Sequence, residues 1–265
     1  MAVIGLGAIG GSVAKALVRA GVRVRAHASS GADADGARAA GVDVADDLAG
    51  CVADTPTVVI AVPIRAHATV AAAVADAAAP EALLLHTASL QRETALGTSA
   101  GRVIGTHPIA GTHRAGFAAA DAAMFDGCVV SIEARAPAPA RASAERFWRT
   151  IGARRFEYRT AEDHDRLMTW VSHLPQLAST ALADAIASSG VTWDALGPGG
   201  RDATRLAASP FDMWSGILAH ARPEAAQAAA ALERSLGAIR SALESGDMET
   251  VERIWSSARA WADPR

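Results

Sequence analysis

Short apolar runs alternate with stretches of helical period through the first half of the chain. Met1-Ala2-Val3-Ile4 opens as a strand, and Ala8 to Ala20 follows with helical spacing. Val22 to Ala26 reads as a second strand and Asp33 to Ala40 as a helix. Thr57 to Ala61 is a strand stopped at Pro63, with a helix over Ala66 to Ala79. Leu83 to Leu85 and Val103 to Gly105 are further strands. Ala134 to Ala140 holds two prolines and reads as a surface connection, followed by a helix over Arg141 to Ile151 and a strand over Arg155 to Tyr158. This β-α rhythm predicts a parallel sheet with helices on both faces. From Ala161 onward helical periods dominate, broken at Gly190, Gly197-Pro198-Gly199-Gly200, Pro210, Pro223 and Gly246. The pattern predicts an α/β doubly wound domain over residues 1–159 and an all-α domain over residues 160–265.

The first strand runs into Gly5-Leu6-Gly7-Ala8-Ile9-Gly10, a GxGxxG loop that opens a helix. Strand, glycine loop and helix together form the Rossmann-type dinucleotide-binding unit. Gly5 permits the tight turn, Gly7 lets the backbone approach a pyrophosphate, and Gly10 lets helix and strand pack closely. Ala8 and Ile9 bring the first helical N–H groups to the phosphates. An NAD site carries an acid about 20 residues on, at the end of the second strand. Here Ala28 stands at that position, within Arg25-Ala26-His27-Ala28-Ser29-Ser30. His27, Ser29 and Ser30 offer hydrogen bonds to a 2′-phosphate, and Arg25 adds charge. The expected cofactor is NADP, with NAD kept open by Asp33 and Asp35 nearby.

Composition narrows the class. The chain has 265 residues, net charge -3, and 51% apolar residues rich in alanine. Alanine loses no side-chain entropy in a helix, which favours the helical second half. No basic field exists to hold nucleic acid or an anionic membrane. An anionic substrate would need a local Arg or His. The two cysteines, Cys51 and Cys128, form no CxxC pair and suit a reducing compartment. Neither a signal peptide nor a transmembrane span is apparent, so the cytoplasm is the expected location. Histidines show no zinc-type spacing, and no metal is expected. Five of the six tryptophans fall in the all-α domain over residues 160–265, as core anchors or as an interface.

Four further segments carry chemistry. Ala88-Ser89 follows one strand, and His107-Pro108-Ile109-Ala110-Gly111-Thr112 follows the next. His164-Asp165 precedes Ser172-His173-Leu174-Pro175-Gln176 on the first long helix, read over Asp163 to Ser189. Gly199-Gly200-Arg201-Asp202-Ala203-Thr204-Arg205 leads to Met213-Trp214. In this order, behind a GxGxxG loop, these segments resemble the prephenate/arogenate (cyclohexadienyl) dehydrogenase family over nearly the whole chain.

The resemblance implies oxidation of an anionic cyclohexadienyl acid at C4 with hydride transfer to a nicotinamide, loss of CO2 and aromatisation. It places His107 as acceptor of a hydrogen bond from the C4 hydroxyl. Ser89 lies near the cofactor and that hydroxyl, though a helix N-cap is an equally good role for it. Arg205 matches the arginine that forks onto a substrate carboxylate. His173 and Gln176 line the substrate side, Gln176 standing where many members carry histidine. Thr112 and His113 lie at the mouth of the site, where many members have an acid in place of His113. The family's Asp-x-Gly-Ser-x-Lys reads here His86-Thr87-Ala88-Ser89-Leu90-Gln91. A homodimer through the helical domain is expected, and a fused regulatory module is not.

Two other classes remain. A β-hydroxyacid dehydrogenase, imine reductase or pyrroline-carboxylate reductase would share the architecture. Enzymes of that kind usually place a catalytic lysine on the first long helix, and Lys15 is the only lysine here. A non-catalytic NADP(H) sensor would bind cofactor and oxidise nothing.

Overall fold

Ala2 and Ile4 of β1 (Ala2–Ile4) pack into one apolar cluster and Val3 into another. The same alternation holds in β4 (Thr57–Ile60), where Val58 and Ile60 oppose Val59, and in β5 (Leu83–His86), where Leu84 opposes Leu85. Successive strand residues point to opposite faces, so continuous apolar runs bury both sides of a sheet. That is why these strands read as unbroken hydrophobic stretches.

The computed structural model describes residues 1–92, 102–111 and 114–263. It groups the chain into two units: Met1–Met168 with Ala208–His220, and Thr169–Ala207 with Ala221–Arg265. The first unit is an eight-stranded sheet of order β3-β2-β1-β4-β5-β6-β7-β8. Its remaining strands are β2 (Arg25–His27), β3 (Asp43–Val44), β6 (Val103–Pro108), β7 (Val129–Glu133) and β8 (Arg155–Arg159). Helices α1 (Ala8–Arg19), α2 (Gly31–Ala39), α3 (Leu48–Val52), α4 (Ile64–Ala77) and α5 (Ala138–Thr150) join them. Then follow α6 (Ala161–Met168) and, after an excursion through the second unit, α9 (Phe211–His220), whose Gly216 sits against Ile64 of α4. All ladders are parallel except β6–β7, which is antiparallel. The parallel sheet expected from sequence thus carries one antiparallel ladder, between β6 and β7. β7 and the two-residue β3 were not legible as strands, and α5 begins within the stretch read as a connection.

The second unit opens on a π turn, Thr169–His173, followed by α7 (Leu174–Ser188). The long helix expected over Asp163 to Ser189 is thus interrupted. Pro175 has no N–H to offer the Val171 carbonyl, so the regular i→i−4 ladder cannot pass. After α7 come α8 (Pro198–Thr204), a 3-10 turn Arg205–Ala208, α10 (Arg222–Ser245) and α11 (Met248–Ala262). Gly246, at φ +75°, ends α10 in a left-handed cap, and Asp247 caps α11 by accepting the Thr250 N–H.

Candidate active site

The carboxyl ends of β1, β4, β5 and β6 form one edge, since Ile4 pairs with Ile60, Ile60 with His86, and His86 with Gly105. The strand order reverses between β1 and β4, which is where open α/β sheets bind ligands. Gly5 leaves β1 at φ +92°, and a Cβ there would meet the Ala61 carbonyl oxygen at 2.5 Å. A Cβ on Gly10 would lie 1.9 Å from the Gly5 carbonyl oxygen, so the helix can approach only without a side chain. Gly7 has open space where its Cβ would be. Gly7 is also the N-cap of α1, where no side chain caps the helix and no acid stands in the first turn. A bare helix N-terminus beside open backbone fits a dinucleotide pyrophosphate.

At the end of β2 lie the groups that the sequence reading assigns to the ribose. His27 places Nδ1 3.3 Å from the Ala45 carbonyl, Ser29 is exposed, and Ser30 caps α2 by accepting the Asp33 N–H at 3.3 Å. Arg25 pairs with Asp43 at 3.0 Å. Asp33 accepts the Phe117 N–H at 2.7 Å, and Asp35 pairs with Arg38 at 3.0 Å. Both acids that keep NAD open are thus engaged with protein groups.

His107 lies inside β6, two residues beyond the position paired with His86, rather than after the strand as expected. Its Nδ1 is 2.9 Å from Nε2 of His164 on α6. His164 in turn places Nδ1 2.9 Å from Oδ1 of Asp165. Both His164 and Asp165 are buried. Asp165 also accepts the backbone N–H groups of Gln91 (2.8 Å) and Arg92 (3.0 Å) and the Arg92 Nε–H (3.2 Å). Burial pushes its carboxyl pKa up, but the hydrogen bonds from His164, Gln91 and Arg92 outweigh that and hold it below the ordinary value. Next to His107, buried His86 is held well below the usual histidine range, first by desolvation and then by its histidine neighbours. Ser89, partly exposed, follows β5 in the same region of the chain. The turn after β6 borders a cavity of about 570 Å³ lined by Ile109, Ala110, Gly111, Arg114 and Asp121 among others. Thr112 and His113 lie outside the described residues.

In the second unit His173 is buried in the π turn. Gln176 is buried too, and its amide donates to the Leu206 carbonyl at 2.9 Å and to Thr180 Oγ1 at 3.3 Å. Ser179 Oγ accepts the Ala207 N–H at 3.2 Å. Helix α7 thereby holds the turn that carries Arg205, whose side chain is exposed at the end of α8. Sequence reading singled out the His164-Asp165 pair but gave it no role. A His-Asp dipeptide carries no spacing signal for a partner on a strand 57 residues away. Among the described residues, no group of three or more His, Cys, Asp or Glu is arranged to hold a metal ion.

Comparison with known proteins completes the picture. Residues 13–157 match the prephenate dehydrogenase nucleotide-binding domain and residues 160–256 the prephenate dehydrogenase dimerization domain. A cyclohexadienyl dehydrogenase from Zymomonas mobilis is 32% identical over 241 residues, 84% of this chain and 81% of that protein. A prephenate dehydrogenase from Bacillus subtilis is 26% identical over 275 residues, 98% of this chain and 74% of that protein. The crystal structure of prephenate dehydrogenase from A. aeolicus, in complex with hydroxyphenyl propionate and NAD+, shares the fold. Its TM-score is 0.86 at 24% identity, over 99% of this chain and 97% of that one. The chain belongs to the prephenate dehydrogenase family, enzymes that oxidatively decarboxylate a cyclohexadienyl acid with hydride transfer to a nicotinamide cofactor.

Proposed function

We propose that this chain oxidises prephenate, arogenate or an amino-substituted analogue and prefers NADP to NAD. The observation that carries this reading is the placement of His107. It stands at the carboxyl edge of the parallel sheet, the edge that also holds the glycine loop, with Nδ1 engaged by His164. A neutral imidazole there is suited to take a hydroxyl proton near pH 7.

In this reading His107 accepts the C4 hydroxyl proton as the C4 hydride leaves and the C4–O bond becomes a carbonyl. When bound, the nicotinamide supplies the hydride acceptor. The ring carboxylate then departs as CO2, and its bonding pair aromatises the ring. The carbonyl oxygen becomes the phenol oxygen and recovers the proton from His107, so no net proton is gained or lost. Arg205 anchors a substrate carboxylate in bidentate fashion. Ser89 orients His107 or the hydroxyl. His173 and Gln176 shape the side-chain end, and Thr112 and His113 the mouth. Gly5, Gly7, Ala8, Ile9 and Gly10 take the pyrophosphate, while His27, Ser29 and Ser30 take the 2′-phosphate. Ala28 in place of the ribose-binding acid, with Asp33 and Asp35 already engaged, supports NADP.

A homodimer built through the second unit fits the apolar surface of that unit. Leu236 and Leu243 on α10 are seven residues apart, as are Met248 and Trp255 on α11, and all four are exposed. Trp255 and Trp261 are 72% and 85% exposed, large apolar side chains that an interface would cover. Among the described residues no helix is long and apolar enough to cross a membrane. The free thiols Cys51 and Cys128 suit the cytoplasm.

The deciding experiment offers prephenate, arogenate and 4-amino-4-deoxyprephenate with NAD or NADP and follows the absorbance of reduced cofactor. Turnover of at least one, with the larger kcat/KM on NADP, supports the reading. Tight NADP(H) binding without oxidation of any of the three would instead support a sensor.

A further inference from the structure

The reading of His107 as hydroxyl acceptor leaves open which of its nitrogens does the work and what steadies the positive charge it acquires. We infer that His164 and Asp165 are positioning residues that fix the His107 tautomer and share its proton's charge. The chain of contacts runs Asp165 Oδ1 to His164 Nδ1 (2.9 Å), then His164 Nε2 to His107 Nδ1 (2.9 Å), all within the first unit.

The directions follow by elimination. Besides His164, Asp165 receives the backbone N–H groups of Gln91 and Arg92 and the Arg92 guanidinium. A carboxyl surrounded by donors is ionised and only accepts. His164 Nδ1 therefore carries a hydrogen and donates it. With its single N–H so committed, a neutral imidazole at position 164 keeps its lone pair on Nε2. It accepts from His107 Nδ1, and His107 Nε2 is left with the lone pair. The nitrogen farther from the relay is the one that takes the substrate proton.

The surroundings sharpen this. Facing the His107 and His164 rings are His86 on β5 with His67 of α4 behind it, Asp165 on α6, and Arg92 at the start of the segment after β5. His67 and His86 are buried and neutral near pH 7, so neither opposes a charge on His107. Arg92 is spent on Asp165 at 3.2 Å. Protonation of His107 thus creates an imidazolium linked through His164 to a buried carboxylate. In low-dielectric surroundings that link favours the protonated form. The arrangement follows the logic by which a buried acid orients a catalytic histidine, with one more imidazole in the line.

The test has an arm that needs no mutant. Nitrogen-15 NMR of histidine-labelled wild-type protein reads each tautomer, and His107 is expected as Nδ1–H. An Nε2–H tautomer overturns the inference. In kinetics, His164→Phe keeps an aromatic ring and leaves the Asp165 contacts to Gln91 and Arg92 in place. It should lower kcat by at least about tenfold, short of the about 10²–10⁴-fold that loss of the acid–base group itself costs. The acidic limb of kcat/KM should move down by about one pH unit, because the proton on His107 loses its stabilisation. Asp165→Asn should move the limb the same way. A folding defect alone would lower the amount of active enzyme without moving the limb. If the limb stays put in both variants, the relay is refuted. This outcome differs from failure of the proposed function, in which His107→Asn itself would keep the limb and the rate.

Discussion

His67 on α4 meets His86 at the end of β5 edge to face, with ring centroids 4.8 Å apart. Both are buried, and among the described residues neither ring nitrogen of His67 has a hydrogen-bond partner. Burial alone drives the His67 pKa down from 6.5 to about 4. The folded chain keeps this ring neutral where the unfolded chain protonates it, so the unfolded state binds more protons. Stability is therefore full above pH 6.5 and falls as the pH drops toward 4. Each such group contributes a slope of about 1.4 kcal/mol per pH unit inside its window. Urea unfolding between pH 7 and 4 should show the decline, and His67→Phe should reduce it by the His67 share, leaving the slope that buried His86 contributes in the same window. Asp165, held below its ordinary 3.8, loses its contribution only at lower pH, so it does not blur the comparison. A slope unchanged in His67→Phe would mean that His67 is not the source.

Ala28→Asp should turn cofactor preference toward NAD. It restores a carboxylate that accepts from the ribose 2′-OH and repels a 2′-phosphate. The measurement is kcat/KM with each cofactor. A wild-type preference for NAD would remove the basis of the NADP reading. Asp33 would then need a new look, although its carboxylate already holds the Phe117 N–H at 2.7 Å.

The glycine loop and the strands around it were legible because their signals are local. Gly5, Gly7 and Gly10 sit at fixed spacing, and Val58 to Ile60 form one apolar run. β7 escaped because the stretch before it has no rhythm, and β3 because two residues carry no period. The break at Thr169–His173 was written in Pro175, but only together with the helix around it. His107 was legible by resemblance. Its contact with His164 was not, because tertiary packing alone brings a strand and a later helix together. Gln176 illustrates the opposite limit. Resemblance points it at a ligand, while its amide is hydrogen-bonded to Leu206 and Thr180.

That bond makes its own prediction. Gln176→Leu frees the Leu206 carbonyl and loosens the turn that follows Arg205. Loss of one hydrogen bond costs about 0.5–1.5 kcal/mol, so KM should rise by about 2- to 10-fold with kcat little changed. Ser179→Ala, which removes the acceptor for the Ala207 N–H, should act in the same direction. If neither variant alters KM, the turn is held by its backbone alone.

Light scattering at micromolar concentration should give a dimer mass. Trp255→Glu, on the exposed face of α11, should shift it toward monomer by placing a charge in an apolar interface. A wild-type monomer mass would refute assembly through the second unit.

His107→Asn and Arg205→Ala should fail in different ways. His107→Asn removes the base but keeps a polar side chain on β6, so kcat should fall by about 10²–10⁴-fold with little change in KM. Arg205 would hold a carboxylate that is present in both ground and transition states. Losing it weakens both equally and mainly raises KM. A charge-assisted hydrogen bond contributes about 1.5–3 kcal/mol, which predicts a rise of about 10- to 100-fold. The pH profile separates the two further. Wild-type kcat/KM should decline on the acidic side as His107 takes a proton and stops accepting. Arg205→Ala should keep that limb at a lower plateau. His107→Asn should lose it, because an amide does not titrate. If His107→Asn retains the wild-type kcat, or its acidic limb persists, the hydroxyl proton goes elsewhere. Ser89 and His173 would then be the next side chains to replace.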